Sequence, residues 1–252
     1  MNKKVGTGNK RQKLSRGESR LTGRGMHTRV KTAKGRKLSS TLWLQRQLND
    51  PYVIEAKKRG YPSRAAFKLS ELDDKFNFLK TGTRIVDLGA APGGWTKVAV
   101  DRTKPTTNEK GIVIALDINE MEPINGATII RHDFLDEHAS DLLKEALGGR
   151  ADIILSDMAS PASGHTATDH LRIMGLCEAA LMFAYDVLAP NGTFIAKVLQ
   201  GGTENEMLTL MKRNFKIVKH SKPPASRSNS SEMYVVAIGF RGFFDLEEQS
   251  LD

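Results

Sequence analysis

The chain has 252 residues, 39% of them hydrophobic, enough for one substantial core plus tails, and no apolar run approaches the ~20 residues of a membrane span. Its only cysteine, Cys177, excludes an intramolecular disulfide and a cysteine-based zinc site, and the six histidines show no metal-ligand spacing. A reducing, cytoplasmic setting without a structural metal is expected. The net charge of +9 is unevenly spread: residues 1–40 hold 13 Lys or Arg against Glu18 alone, leaving 25 basic and 28 acidic residues for a nearly neutral body.

Residues 1–40, rich in Gly, Lys, Arg, Ser and Thr, read as a disordered basic arm, an electrostatic handle for a polyphosphate. A solvated tail with no partner is the plainer alternative. A transit peptide would share the composition, but the arm lacks an apolar stripe at helical spacing. Residues 41–80 read as a helical segment. Around Asp50-Pro51 two short helices are expected, with Asp50 as a cap, Pro51 at the first helical position and a basic face at Lys57-Lys58-Arg59. A third helix is expected from near Ser63 to about Leu79, because Ala65, Leu69, Leu72, Phe76 and Leu79 form one stripe. Lys68 borders that stripe, where a lysine taken alone reads as a snorkelling surface residue.

From residue 81 to 241 strands and helices alternate. The strands are expected at 84–88, 111–117, 127–131, 151–156, 192–198, 215–220 and 233–240, and the helices near 94–102, 137–148, 167–188 and 203–213. This pattern predicts an α/β, Rossmann-like fold: a doubly wound, mostly parallel seven-stranded sheet with helices on both faces. No helix separates the last two strands, so the last strand is expected to be antiparallel. Residues 242–252 form an acidic tail.

The most informative stretch is Arg84-Ile85-Val86-Asp87-Leu88-Gly89-Ala90-Ala91-Pro92-Gly93-Gly94-Trp95. An apolar strand, a turn of small residues and a helix start together make a nucleotide cradle, since free N–H groups at the helix N-terminus face the ligand. The turn lacks the spaced glycines that grip a pyrophosphate, which disfavours a nicotinamide dinucleotide and suits an adenosine-bearing ligand without a diphosphate. Asp117 closes the second strand, where a carboxylate can accept both hydroxyls of a ribose; a turn or cap role is the alternative. Asp133 follows the third strand and could accept from an adenine amino group. Asp157 and Lys197 end the fourth and fifth strands, which directs them into one crevice. Glu232 opens the last strand, where a merely solvated role is the ordinary case.

At these residues the sequence resembles the FtsJ-type 2′-O-methyltransferases of large-subunit ribosomal RNA. The resemblance runs from about Trp43 to Phe240 and is most specific at Asp87-Leu88-Gly89-Ala90-Ala91-Pro92-Gly93-Gly94-Trp95. Ser63-Arg64-Ala65-Ala66-Phe67-Lys68-Leu69, Ser156-Asp157-Met158-Ala159, Lys197-Val198 and Glu232-Met233-Tyr234 follow the family's pattern in matching order. The resemblance implies a Rossmann-like methyltransferase core with a catalytic set of Lys68, Asp157, Lys197 and Glu232. It also implies S-adenosylmethionine, bound by Gly93, Trp95, Asp117, Asp133 and Asp157 and leaving as S-adenosylhomocysteine without a metal. The implied substrate is a uridine ribose of ribosomal RNA, free or in a large-subunit particle; a monomer is expected. Transfer RNA or a cap as substrate, or a non-catalytic RNA-binding module for ribosome assembly on the same fold, are the alternatives. The chain departs from the family's pattern at Ala66, where an aromatic is common, and at Ser160-Pro161, where a Pro-Asn pair is common; both flank the implied catalytic positions. Lys197 is the candidate base, with Asp157 fixing its orientation; a charged Lys197 would act by positioning and electrostatics.

Overall fold

The computed structural model describes residues 28–30, 35, 37–104, 111–161, 163–200 and 205–242. Most of the expected basic arm, and the acidic tail from residue 243, lie outside the described residues. Three helices lead into the sheet. The first, α1 (Leu38–Asn49), starts inside the stretch expected to be arm. Asp50 caps α2 (Pro51–Arg59), accepting the Tyr52 N–H at 3.0 Å with Pro51 at the first position, as its sequence predicts, and Gly60 ends it in the left-handed region at φ 72°.

Helix α3 (Ala65–Phe76) stops three residues short of the expected end. Asn77 turns left-handed at φ 55°, and the Leu79 N–H is taken by Asp73 Oδ1 at 2.7 Å, so Leu79 enters the core from the turn beyond the helix. Leu69 and Leu72 are fully buried, and the stripe that predicted the helix does face the core.

Next come β1 (Arg84–Leu88), α4 (Gly94–Thr103), β2 (Ile112–Asp117), β3 (Thr128–Arg131), α5 (Ala139–Leu147), β4 (Ala151–Ser156) and α6 (Thr166–Val187). The chain then runs through β5 (Leu188–Leu199), α7 (Asn205–Asn214), β6 (Phe215–Ser221) and β7 (Glu232–Phe240). The seven strands lie in the order β3-β2-β1-β4-β5-β7-β6, and β7 alone runs antiparallel to its neighbours. Strand β5 begins four residues earlier than expected, directly off α6. Its register against β4 shifts between Ala151 and Ile153, where Asn191 adopts φ 66° and Gly192 leaves no room for a side chain beside the Ala189 carbonyl.

Alternating strand residues feed two cores. Val86, Leu88, Ile114, Ile154, Phe194 and Ala196 pack with α5, α6 and α7, whereas Ile85, Val113, Ile153, Leu155 and Ile195 pack with α3 and α4. The strand order reverses between β1 and β4. In an open parallel sheet, that reversal splays the following loops apart and leaves a crevice at the carboxyl ends. The loops after β1, β3 and β4 carry Gly93, Asp133 and Asp157, with Asp117 at the end of β2.

Candidate active site

Register brings Asp157 and Lys197 together. Ser156 of β4 lies opposite Ala196 of β5, so the next residues along, Asp157 and Lys197, stand abreast. Lys197 lies inside β5, two residues before its end, and is 9% exposed. Its Nζ donates to Asp157 Oδ1 at 2.8 Å and to the Asp157 carbonyl at 2.8 Å. Lys68, from the middle of α3, reaches the same place: its Nζ lies 2.7 Å from Glu232 Oε2 and 3.8 Å from Asp157 Oδ2. The four residues implied by the resemblance thus form one cluster from α3, the β4 end, β5 and the β7 start. Lys68 is held by carboxylates and is no freely solvated snorkel.

Two residues outside the predicted site set lie in or beside this cluster. Tyr234, fully buried, donates its hydroxyl to Asp157 Oδ1 at 2.7 Å, and its ring lies 5.7 Å from Lys68 Nζ. The signal was present, since a tyrosine in a wholly buried strand must find a partner for its hydroxyl. Burial raises the Tyr234 hydroxyl far above its ordinary pKa, aided by Asp157 and Glu232, so it stays a donor. Burial alone would raise Asp157, but the charges of Lys197 and Lys68 and the hydrogen bonds from Lys197 and Tyr234 hold it below its ordinary value. Asp157 is therefore a fixed anion between two lysines.

The second is Asp87, buried within β1. Its Oδ2 accepts from the Thr96 hydroxyl at 2.6 Å, while Oδ1 has no partner. Burial, together with Asp157 and Asp117 nearby, raises Asp87 to about 7 against the Thr96 hydrogen bonds. A raised acid binds its proton more tightly in the folded state, so its stabilisation is complete below the ordinary value of 3.8 and is lost as pH rises to about 7. Across that window the loss is on the order of 4 kcal/mol. Asp87→Asn should therefore gain melting temperature relative to the parent chain as pH rises from 4 to 7; parallel curves would contradict the assignment.

The turn after β1 is shaped by its own neighbours. At Gly89 (φ +72°) a Cβ would fall 2.7–2.9 Å from Met158 atoms, and at Gly93 (φ +101°) 2.5 Å from Ile124 Cδ1. Asp117 fastens the turn: Oδ2 accepts the Ala91 N–H at 2.9 Å and Oδ1 accepts from the Asn119 backbone and side-chain amides. Asp133 is exposed and accepts the Leu135 N–H at 2.9 Å. Neither Asp117 nor Asp133 forms an ion pair among the described residues, so both keep acceptor capacity at adjacent strand ends, as a hydroxylated nucleoside requires. Among the described residues no group of three His, Cys, Asp or Glu could hold a metal ion. A cavity of about 560 Å³ lined by Arg150, Tyr185, Phe240 and Arg241 opens at the opposite end of the sheet, away from the tetrad.

The FtsJ-like methyltransferase pattern matches residues 61–240, well over half the chain. This chain belongs to that family. It is 61% identical over 228 residues to the ribosomal RNA large subunit methyltransferase E of Cereibacter sphaeroides, covering 88% of this chain and 93% of that protein. It is 56% identical over 237 residues to the protein of that name from Rhodospirillum rubrum, covering 94% and 90%. A solved structure from Plasmodium falciparum, described as a ribosomal RNA methyltransferase, is 36% identical with a TM-score of 0.65, covering 72% of this chain and all of that one.

In this FtsJ-like methyltransferase the Trp95 side chain is not part of the crevice. It is 2% exposed, donates its indole N–H to the Ala65 carbonyl at 3.0 Å and packs 5.4 Å from the Tyr234 ring. What Trp95 can offer a ligand is its backbone in the first turn of α4, where N–H groups lack intrahelical partners. The side chain instead ties α3 and α4 to the strand that carries Tyr234.

Proposed function

We propose that this FtsJ-like methyltransferase transfers a methyl group from S-adenosylmethionine to the ribose 2′-hydroxyl of a uridine in large-subunit ribosomal RNA. It would act as a cytoplasmic monomer, on the RNA or on a large-subunit particle. The names of its relatives support the RNA class, and the hold of Asp157 on Lys197 carries the chemistry. The form of Lys197 that accepts a proton is the amine after its ammonium proton has been shed, which has two N–H bonds and one lone pair. With both N–H bonds directed at Asp157 Oδ1 and at the Asp157 carbonyl, the lone pair is left for a substrate proton.

The donor supplies an electrophilic methyl carbon on a positively charged sulfur. Main-chain groups at Gly93 and Trp95 would receive it with Asp117 at the ribose and Asp133 at the base, next to Asp157. Lys197 would take the 2′-hydroxyl proton as the oxygen bonds to the methyl carbon and the carbon–sulfur bond breaks toward sulfur. Lys68, neutralised by Glu232, would orient the ribose oxygen. Holding the two reactants in line removes several kcal/mol of bimolecular entropy. The 2′-hydroxyl confines the reaction to RNA.

The purified protein, incubated with methyl-labelled donor and large subunits from cells lacking the gene, should deliver label to 2′-O-methyluridine after digestion to nucleosides. Label on a base, or none with ribosomal RNA in any form, would contradict the proposal. Asp117→Ala should weaken donor binding by about 10–100-fold in calorimetry, since it removes a charge-assisted acceptor and the fastening of Ala91; an unchanged affinity would take Asp117 out of the donor site.

A further inference from the structure

The connection between β6 and β7, residues 222–231, reaches the tetrad through Glu232. Ser226, 6% exposed, donates its hydroxyl to Glu232 Oε1 at 2.8 Å, while Lys68 holds Oε2 at 2.7 Å. One carboxylate oxygen is thus fixed by the connection and the other by α3. A glutamate has three side-chain torsions to immobilise, and a buried hydroxyl on one oxygen removes that freedom before Lys68 is engaged.

Ser226 is itself placed by the residue before it. Ala225 is fully buried against Tyr52, Ala56 and Phe67. Its N–H donates to Glu71 Oε2 at 2.6 Å, and its carbonyl accepts from Arg64 Nη2. Arg64 is paired with Asp50, the cap of α2, and lies over the Tyr52 ring at 5.4 Å. The Tyr52 hydroxyl closes the circuit on Glu71 Oε1 at 3.1 Å. Both polar backbone groups of Ala225 are therefore anchored to α3 and its cap residue Arg64, its methyl group packs on α2, and Ser226 follows directly.

We propose that Ser226 is a positioning residue, anchored through Ala225 to α2 and α3, which orients Glu232 for its hold on Lys68. The role rests on the methyl-transfer reading above. It assigns the leading helices a part in the geometry of the tetrad that goes beyond supplying Lys68.

Ser226→Ala should lower kcat about tenfold, the loss of one charge-assisted hydrogen bond, with donor affinity unchanged and melting temperature lowered by only a few degrees. Ser226→Thr, which keeps the hydroxyl, should recover most of it. On a Glu232→Ala background Ser226→Ala should cost nothing more, because its target is gone. Unaltered kcat in Ser226→Ala, or the same tenfold loss persisting without Glu232, would overturn the proposal. A crystal structure of Ser226→Ala gives a readout independent of turnover: Glu232 should leave Lys68, and an intact 2.7 Å pair would refute the role. A parent chain that methylates no RNA, alongside a displaced Glu232 in that crystal, would sink the reaction and leave the positioning intact.

Discussion

Lys197→Ala is expected to lower kcat by about 10²–10⁴-fold, the range of a lost general base, while the affinity for S-adenosylmethionine stays within about threefold. The amine is nearly buried and its contacts run to Asp157, so its removal takes away the proton acceptor without touching Asp117, Asp133 or the turn after β1. Lys197→Arg sharpens the result. A guanidinium keeps the charge and cannot accept a proton, so it should be as inactive as alanine if Lys197 is the base. Arginine restoring turnover would mean that charge alone is used. Single-turnover transfer to RNA, with donor binding measured in parallel, decides between them.

Asp157→Asn is expected to have the largest combined effect, on activity and on folding. The carboxylate is the shared partner of Lys197 and Lys68 and accepts the Tyr234 hydroxyl. Replacing it leaves two nearly buried ammonium groups with only Glu232 to balance them, a change that costs about 3–5 kcal/mol when one partner of a buried pair is removed. For a folded body of this size that corresponds to a fall in melting temperature of roughly 10 °C. The pH dependence has a definite sign. Because Asp157 is held below its ordinary value of 3.8, its contribution is present above that value and is lost as pH falls beneath it. The gap in melting temperature between parent and variant should be full at neutral pH and close in acid. A gap that widens in acid would place the anion elsewhere.

The architecture was legible because the central strands are nearly continuous apolar runs in which a charged residue near the carboxyl end stands out. Asp117, Asp157 and Lys197 stand out against such runs, and all three lie at or near the crevice. Register explains the pairing of Asp157 with Lys197: Ser156 lies opposite Ala196, so the residues that follow stand abreast, although β5 runs on to Leu199. The residues that escaped notice depend on contacts between segments far apart in sequence. Tyr234 and Ser226 are ordinary in their own stretches and gain meaning only when β7 inserts beside β5 and the preceding connection folds onto α3. Asp87 looked like the last charge of a strand, yet its burial beside two other carboxylates sets it apart. The apolar spacing extends the expected α3 to Leu79, but spacing does not register that Asp73 draws the chain into a turn after Phe76. Trp95 lies in the motif that identifies the family, but its ring is spent on joining α3, α4 and β7.

The most direct test is a map of ribose methylation across total RNA from cells with the gene intact, deleted, or replaced by the Lys197→Ala form. One uridine of large-subunit RNA should lose its 2′-O-methyl group in both altered strains and in neither transfer RNA nor small-subunit RNA. An unchanged map on deletion, or full methylation with Lys197→Ala, would contradict the account.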